Sequence, residues 1–234
     1  MNNKFIFVFK IKAKMALLTA SQQEISFWIE KLYPQFEPEL RKSIIEHGII
    51  QHVKAGQTLI RSGHTIKSTM LLSEGLVKVF RNDNDNGDEF FLYYIEPGQV
   101  FALSMIYGSQ NETIKISKVA ATDCVFISLP LTLTETYQKE YSSWNTFMMD
   151  NYKRRFEDIL EAVSDLAFGT MDERVKHYLE HQTKSLKTNH IHITHEQIAH
   201  DLNTSRVVIS RILKHMEDAG KLKLHRNSIE IATA

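Results

Sequence analysis

Residues 194–220 read THEQIAHDLNTSRVVISRILKHMEDAG, and two short amphipathic helices fit them. Thr194 with Gln197 three residues on makes the Thr-x-x-Gln box that satisfies free N–H groups at a helix start, while Ile198, Ala199 and Leu202 share one apolar face. Asn203 and Thr204 interrupt the pattern as turn formers. Thr204 or Ser205 can then cap a second helix that turns Val208, Ile209, Ile212, Leu213 and Met216 inward and stops at Gly220. The pattern predicts a helix-turn-helix.

The second helix leaves Arg206 and Arg211 on its solvent side, flanking it rather than stacking. An arginine fork donates two hydrogen bonds to O6 and N7 of guanine in a major groove, so this pair suits base reading. Thr194, Thr204, Ser205 and His195 suit phosphate oxygens, which fix register without specifying sequence. Each of these polar residues also reads as a plain helix cap, and for Thr194 the cap is the better reading. After Gly220, the alternating runs Lys221–Leu224 and Ser228–Ile231, joined by His225, Arg226 and Asn227, predict a small hairpin or wing. A winged helix of this kind serves duplex DNA by default; the rival reading is a ligand-binding signalling module whose wing contacts protein.

Between Ile193 and Ile231, the pieces Thr-x-x-Gln-Ile-Ala, Thr-Ser-Arg, Ile-Ser-Arg-Ile-Leu and Met-Glu-Asp-Ala-Gly resemble the DNA-binding end of the Crp/Fnr transcription regulators. The resemblance implies an α+β chain: an antiparallel, jelly-roll-like β-roll of the cyclic-nucleotide-binding type, then a long dimerisation helix, then the winged helix-turn-helix. It further implies a homodimer on a two-fold DNA operator, with RNA polymerase as a partner, and no enzymatic activity. Regulators of this family commonly carry Glu after the first Arg, where it accepts from cytosine. Here Val207 follows Arg206, so the family's usual recognition sequence does not transfer; Val207 suits a thymine methyl, and Ser210 completes the expected contact face.

The remainder of the chain fits that order. Ser21–Tyr33 has helical spacing of Ile25, Trp28, Ile29 and Leu32, and a second helix runs from about Pro38 to Gly48. Glycines at 56, 63, 75, 87 and 98 then punctuate short apolar runs: 49–53, 58–61, 70–72, 76–81, 89–95 and 115–129. These predict antiparallel strands with tight turns. The polar tip 82–87 lacks a carboxylate at the twelfth position of a calcium loop, where Tyr93 stands, and reads as a hairpin tip. Helical spacing returns from 131 to 168, with a stripe of Met148, Tyr152, Phe156, Ile159, Val163 and Leu166 expected to face a second copy. Gly169 reads as a hinge, followed by a helix capped by Thr170 or Asp172. The expected domains are therefore a tail at 1–20, the roll at 21–130, the dimer helix at 131–168 and the DNA-binding domain at 169–234.

The resemblance implies an effector pocket along Val100, Phe101, Ala102, Leu103 and Ser104, with Thr113 and Ile114. The Gly-Glu and Arg-Ser pairs with which cyclic-nucleotide-binding members hold ribose and cyclic phosphate are missing, and no Arg lies between Arg81 and Arg154. Cyclic AMP is therefore not the expected effector: a buried phosphodiester without a cation is costly. Lys115 or Lys118 substitutes only if the strand register turns it inward. Another small molecule, haem or no ligand stays open, and no cofactor is identified.

Composition excludes other classes. In 234 residues, 28 Lys and Arg balance 28 Asp and Glu, so any DNA-binding charge is local. The single cysteine, Cys124, precludes an internal disulfide framework and a cysteine-ligated iron-sulfur cluster, and fits a cytoplasmic protein. His195-Glu196-Gln197-Ile198-Ala199-His200 has one residue too many for a zinc-protease motif, since a step of five sets the imidazoles about 140° apart on a helix. His190 and His192 would share a strand face, but solvated positions before the Thr194 cap are the better reading, and no metal is expected. No run reaches the length of a membrane span. The tail MNNKFIFVFKIKAKM is too short for a secretory signal and leaves two readings, a translation start at Met15 or an added edge strand.

Overall fold

The computed structural model describes residues 18–82, 89–104 and 115–232. The tail, most of the polar tip 82–87, and Thr113 and Ile114 of the expected pocket lie outside the described residues. Two helices come first: α1 (Ala20–Leu32), capped reciprocally by Thr19 and Gln22, and α2 (Pro38–His47), whose leading proline sits where a helix needs no N–H. Seven strands follow: β1 (Ile49–Val53), β2 (Thr58–Ile60), β3 (Ser68–Glu74), β4 (Val77–Asn82), β5 (Glu89–Ile95), β6 (Ile116–Ala120) and β7 (Cys124–Pro130). They pair antiparallel in two sheets, ordered β1-β7-β3 and β2-β6-β4-β5.

Two apolar cores explain the sequence pattern. Between the sheets lie Leu72, Val77, Val79, Tyr93, Ile95, Phe101, Ile116, Ala120, Cys124 and Phe126. Outside the β1-β7-β3 sheet, Leu71, Val125, Ile127 and Leu129 meet Ile25, Ile29, Tyr33, Leu40, Ile44 and Trp144 from the helices. Strand β7 is therefore covered on both faces, which is why Cys124–Leu129 reads as an almost unbroken apolar run rather than an alternating one. Cys124 is buried there, as a small apolar residue would be.

The single run expected at 115–129 is in fact two strands. β6 belongs to one sheet and β7 to the other, so the chain must turn at 121–123 to cross over. The Thr122 hydroxyl accepts the Leu76 N–H at 2.9 Å, and Asp123 accepts the Ala55 N–H at 2.9 Å. Gly75 lies against this corner at φ 91°, where a Cβ would come within 2.3 Å of the Asp123 carbonyl oxygen, so only glycine fits.

The expected single helix at 131–168 is likewise two, α3 (Leu131–Glu140) and α4 (Ser142–Phe168), divided at Tyr141, whose backbone is extended. The break lets Glu37, ahead of α2, reach the start of α4. Its carboxylate accepts the Ser143 N–H at 3.2 Å and both the Ser142 and Ser143 hydroxyls, and these bonds hold its pKa down at about 2. Tyr137 and Trp144 then fill the outer core from either side of the break.

The carboxyl-terminal domain comprises α5 (Met171–Leu186), β8 (His190–Ile191), α6 (His195–Asp201), α7 (Arg206–Asp218), β9 (Leu222–His225) and β10 (Ser228–Ile231). Thr170, not Asp172, caps α5, in a reciprocal box with Glu173. The wing is a three-stranded sheet, β8-β10-β9, one strand more than the sequence pattern suggested. Ile198, Ile209, Ile212, Leu213, Leu222 and Ile229 close its core with Val175 and Leu179 of α5. Among the described residues no helix is long and apolar enough to cross a membrane.

Candidate nucleic-acid interface

Helix α6 starts at Thr194, whose hydroxyl accepts the Gln197 N–H at 3.2 Å while the Gln197 amide oxygen accepts the Thr194 N–H at 2.8 Å. Thr194 is thus already engaged in the cap. A left-handed Asn203, φ 50°, forms the turn, and Ser205 caps α7 by accepting the Val208 N–H at 3.3 Å. Thr204 keeps its hydroxyl out of that cap and donates its backbone N–H to the Ala199 carbonyl at 2.9 Å. Gly220, φ 71°, ends the unit in a conformation that a side chain would strain.

With Ile209, Ile212 and Leu213 buried, α7 presents Arg206, Val207 and Arg211 outward, with Ser210 half-buried beside them. Among the described residues no carboxylate pairs with either arginine, whereas Lys214, one turn on, is held by Glu217 at 2.9 Å and Asp218 at 3.2 Å. Val207 is 78% exposed, an apolar side chain standing in water at the middle of the face. His195 and Ser210 lie 2.9 Å apart and so fix α6 against α7. Burial, then the nearby Arg206 charge, lowers the His195 pKa and favours its neutral ring. A recess of about 370 Å³ beside this face is lined by Thr194, His195, Glu196, Arg206, His225 and Asn227. Free guanidinium groups, an apolar methyl surface and a wing on one side form a convex, locally basic edge suited to a groove.

The stripe on α4 divides. Met148 is buried in the outer core, and the half-buried Tyr152 donates its hydroxyl to the Ala102 carbonyl at 3.2 Å, so both turn toward the roll. Phe156 (63% exposed), Ile159 and Val163 stand in solvent, joined by Met149 and Leu160, which the three-and-four spacing passed over. The Leu166 side chain lies outside the description. In the expected pocket, Val100 and Ala102 face the helices, Phe101 faces the roll interior, and the Ser104 hydroxyl donates to the Phe101 carbonyl at 2.6 Å. That strip is therefore wall on both sides, not a single lining.

Sequence reasoning missed the junction between roll and winged helix. Asp201, at the end of α6 and 3% exposed, pairs with Lys78 of β4 and accepts the Tyr178 hydroxyl at 2.5 Å. Gln182 donates to the Tyr178 hydroxyl at 2.9 Å and to that of Tyr94, whose ring stacks on His181. Arg155 of α4 donates to the Tyr94 carbonyl at 2.6 Å. The signal was faint but present: Asp201 falls beside the apolar face of Ile198, Ala199 and Leu202.

Two families match the chain, the cyclic nucleotide-binding domain over residues 50–139 and the Crp-like helix-turn-helix domain over residues 173–233. A cAMP-activated global transcriptional regulator CRP from Haemophilus influenzae is 23% identical over 92% of this chain and 94% of its own length. The global nitrogen regulator of Synechococcus elongatus is 21% identical over 78% and 85%. Among solved structures, a regulator assigned to the Crp/Fnr family from Eubacterium rectale superposes with a TM-score of 0.70 at 24% identity, covering 86% of this chain and 93% of that one. The c-di-GMP responsive global regulator CLP of Xanthomonas campestris gives 0.69 at 16%, covering 82% and 100%.

Proposed function

This chain is a DNA-binding transcription regulator of the Crp/Fnr family, and from that premise we propose that it acts as a homodimer whose two α7 helices enter successive turns of one major groove. The observation that carries the reading is the free, exposed pair Arg206 and Arg211 around Val207 on a rigidly capped helix. Two-fold pairing through Phe156, Ile159 and Val163 sets the half-site centres about 34–36 Å apart, or a multiple of that, on a near-palindromic operator. Arg206 and Arg211 take guanine edges, Val207 takes a thymine methyl, and Thr204 and Ser205 border the phosphates, with Thr194 serving first as a cap. The work is done in the cytoplasm, with RNA polymerase as the protein partner. An effector other than cyclic AMP sets the activity.

Duplexes selected from a random pool by the wild type supply the test. Arg206→Ala and Arg211→Ala each lose preference for the selected duplex over a scrambled one, and Phe156→Glu shifts the chain toward monomer in sedimentation. Unchanged preference in both arginine variants, or a wild type monomeric at micromolar concentration, overturns the proposal.

A further inference from the structure

Burial disfavours the positive charge of Lys118 and of His195, but the two differ in what can reach them. Lys118, on β6, is sealed inside the roll at 2% exposed, and its pKa falls to about 7. His195, the first residue of α6, is only half-buried and borders the recess of about 370 Å³ beside the reading face. Three other ionisable side chains line that recess: Glu196 from the same helix, Arg206 from α7 and His225 from β9. Glu196 is exposed, and the His225 ring is answered by the Glu230 carboxylate at 3.1 Å. Among the described residues no carboxylate forms an ion pair with His195 or Arg206. The recess therefore brings together a permanent cation and a switchable one, neither of them neutralised.

The contact with Ser210 leaves that switch free to work. Nδ1 of His195 lies 2.9 Å from the Ser210 hydroxyl. A hydroxyl donates to a bare Nδ1 and accepts from a protonated one, so the contact survives the gain of a proton, and Nε2 remains for a ligand. When the hydroxyl accepts, its own proton has the Arg206 carbonyl, four residues back on α7, as an acceptor. What opposes the charge is burial, then the Arg206 guanidinium. A phosphodiester in the recess reverses that balance, because it attracts both cations and offsets their mutual repulsion.

We propose that the recess receives one backbone phosphate of the bound duplex and that His195 takes up a proton from solvent as it does so, which makes the grip on DNA tighter at lower pH. This deepens the groove-binding reading and rests on it. The sign follows from linkage. The bound state holds a proton that the free state lacks, so affinity rises as pH falls through the range in which imidazoles titrate, by up to about tenfold per pH unit for each proton taken up.

The test is fluorescence anisotropy of the full chain on the duplex selected from a random pool, at about pH 6 and about pH 8 and matched ionic strength. The wild type is expected to bind roughly tenfold tighter at the lower pH. His195→Gln keeps a side chain able to bond Ser210 but cannot titrate, and is expected to be flat at the weaker, alkaline level. His195→Lys carries a fixed charge and is expected to be flat at the tighter level, a rescue that a merely structural role for the ring would not produce. A wild type flat in pH, a slope that survives in His195→Gln, or a lysine variant no tighter than the glutamine one overturns the proposal. Selective binding that is flat in pH overturns this proposal alone; no preference for the selected duplex at either pH overturns the groove-binding reading and this one with it.

Discussion

The outer face of α7 and the inner end of α6 treat charge in opposite ways. On α7, Arg206 and Arg211 stand in water, and among the described residues no carboxylate forms an ion pair with either. At the end of α6, Asp201 is nearly sealed from solvent and shared between Lys78 and Tyr178. A solvated cation adds little to stability and stays available to a polyanion. A buried pair is different: removal of one member strands the other in a poor solvent, so the pair holds two domains in a fixed relation even if it adds little net stability. One short motif thus contains a surface to be used and a joint to be kept.

The sharpest way to break this contrast is at the joint. Asp201→Ala leaves the Lys78 ammonium without its partner and is expected to cost about 3 kcal/mol in urea unfolding. The double variant Lys78→Met with Asp201→Leu recovers most of that loss. If Asp201→Ala is as stable as the wild type, the joint is not a joint.

A comparable effect is expected at Lys118, now as a function of pH. Its folded-state pKa of about 7 lies below the 10.5 of a free lysine, so between those values the unfolded chain holds more protons than the native one. Stability contributed by this group therefore rises from about pH 7 to 10.5, and the full penalty applies below pH 7. Lys118→Met should flatten that rise by roughly 3 kcal/mol at 1.4 kcal/mol per pKa unit, after a discount for relaxation. Parallel profiles for the two proteins would count against a buried unpaired ammonium.

On the used surface the pattern reverses. Arg206→Ala is expected to weaken binding to a selected duplex by about 1–3 kcal/mol, read by fluorescence anisotropy at fixed salt. Its unfolding free energy stays within about 0.5 kcal/mol of wild type. A substantial stability loss would show that the arginine holds structure rather than DNA. The smallest effect belongs to Thr194→Ala, expected to cost about 1 kcal/mol of stability through the lost cap. Its DNA affinity should change less than that of Arg206→Ala; the opposite ranking would make the hydroxyl a phosphate contact first.

The helix-turn-helix was legible because its signals are local. Thr194 with Gln197, Asn203 and Gly220 each act within four residues, and the structure places each in the predicted role. The roll was legible as strands, but not the turn at 121–123. An apolar run says that β6 and β7 are covered and does not say that they belong to different sheets. The break at Tyr141 escaped because the carboxylate that meets the new helix start, Glu37, lies 106 residues from Ser143. β8 escaped because a two-residue strand has no period. At the candidate site, the outward residues followed from helical spacing, whereas the Asp201 joint needed the other domain to be seen. Lys118 lay between: the sequence left open whether the strand register turns it inward, and a lysine in a strand is ordinarily read as solvated.

The Glu37 carboxylate at the start of α4 makes the long helix a cantilever. Its clamped part extends from that cap to Arg155, which grips the Tyr94 carbonyl. The length beyond that grip, from Phe156 to Phe168, is about 20 Å at 1.5 Å per residue. A tilt of about 10° at the clamp sweeps the tip through about 3.5 Å, close to the 3.4 Å rise between stacked bases along one strand. In a homodimer of the kind proposed, a displacement of that size where α5 follows the helix would equal one step of register along the double helix, large enough to decide whether the two copies of α7 match their half-sites.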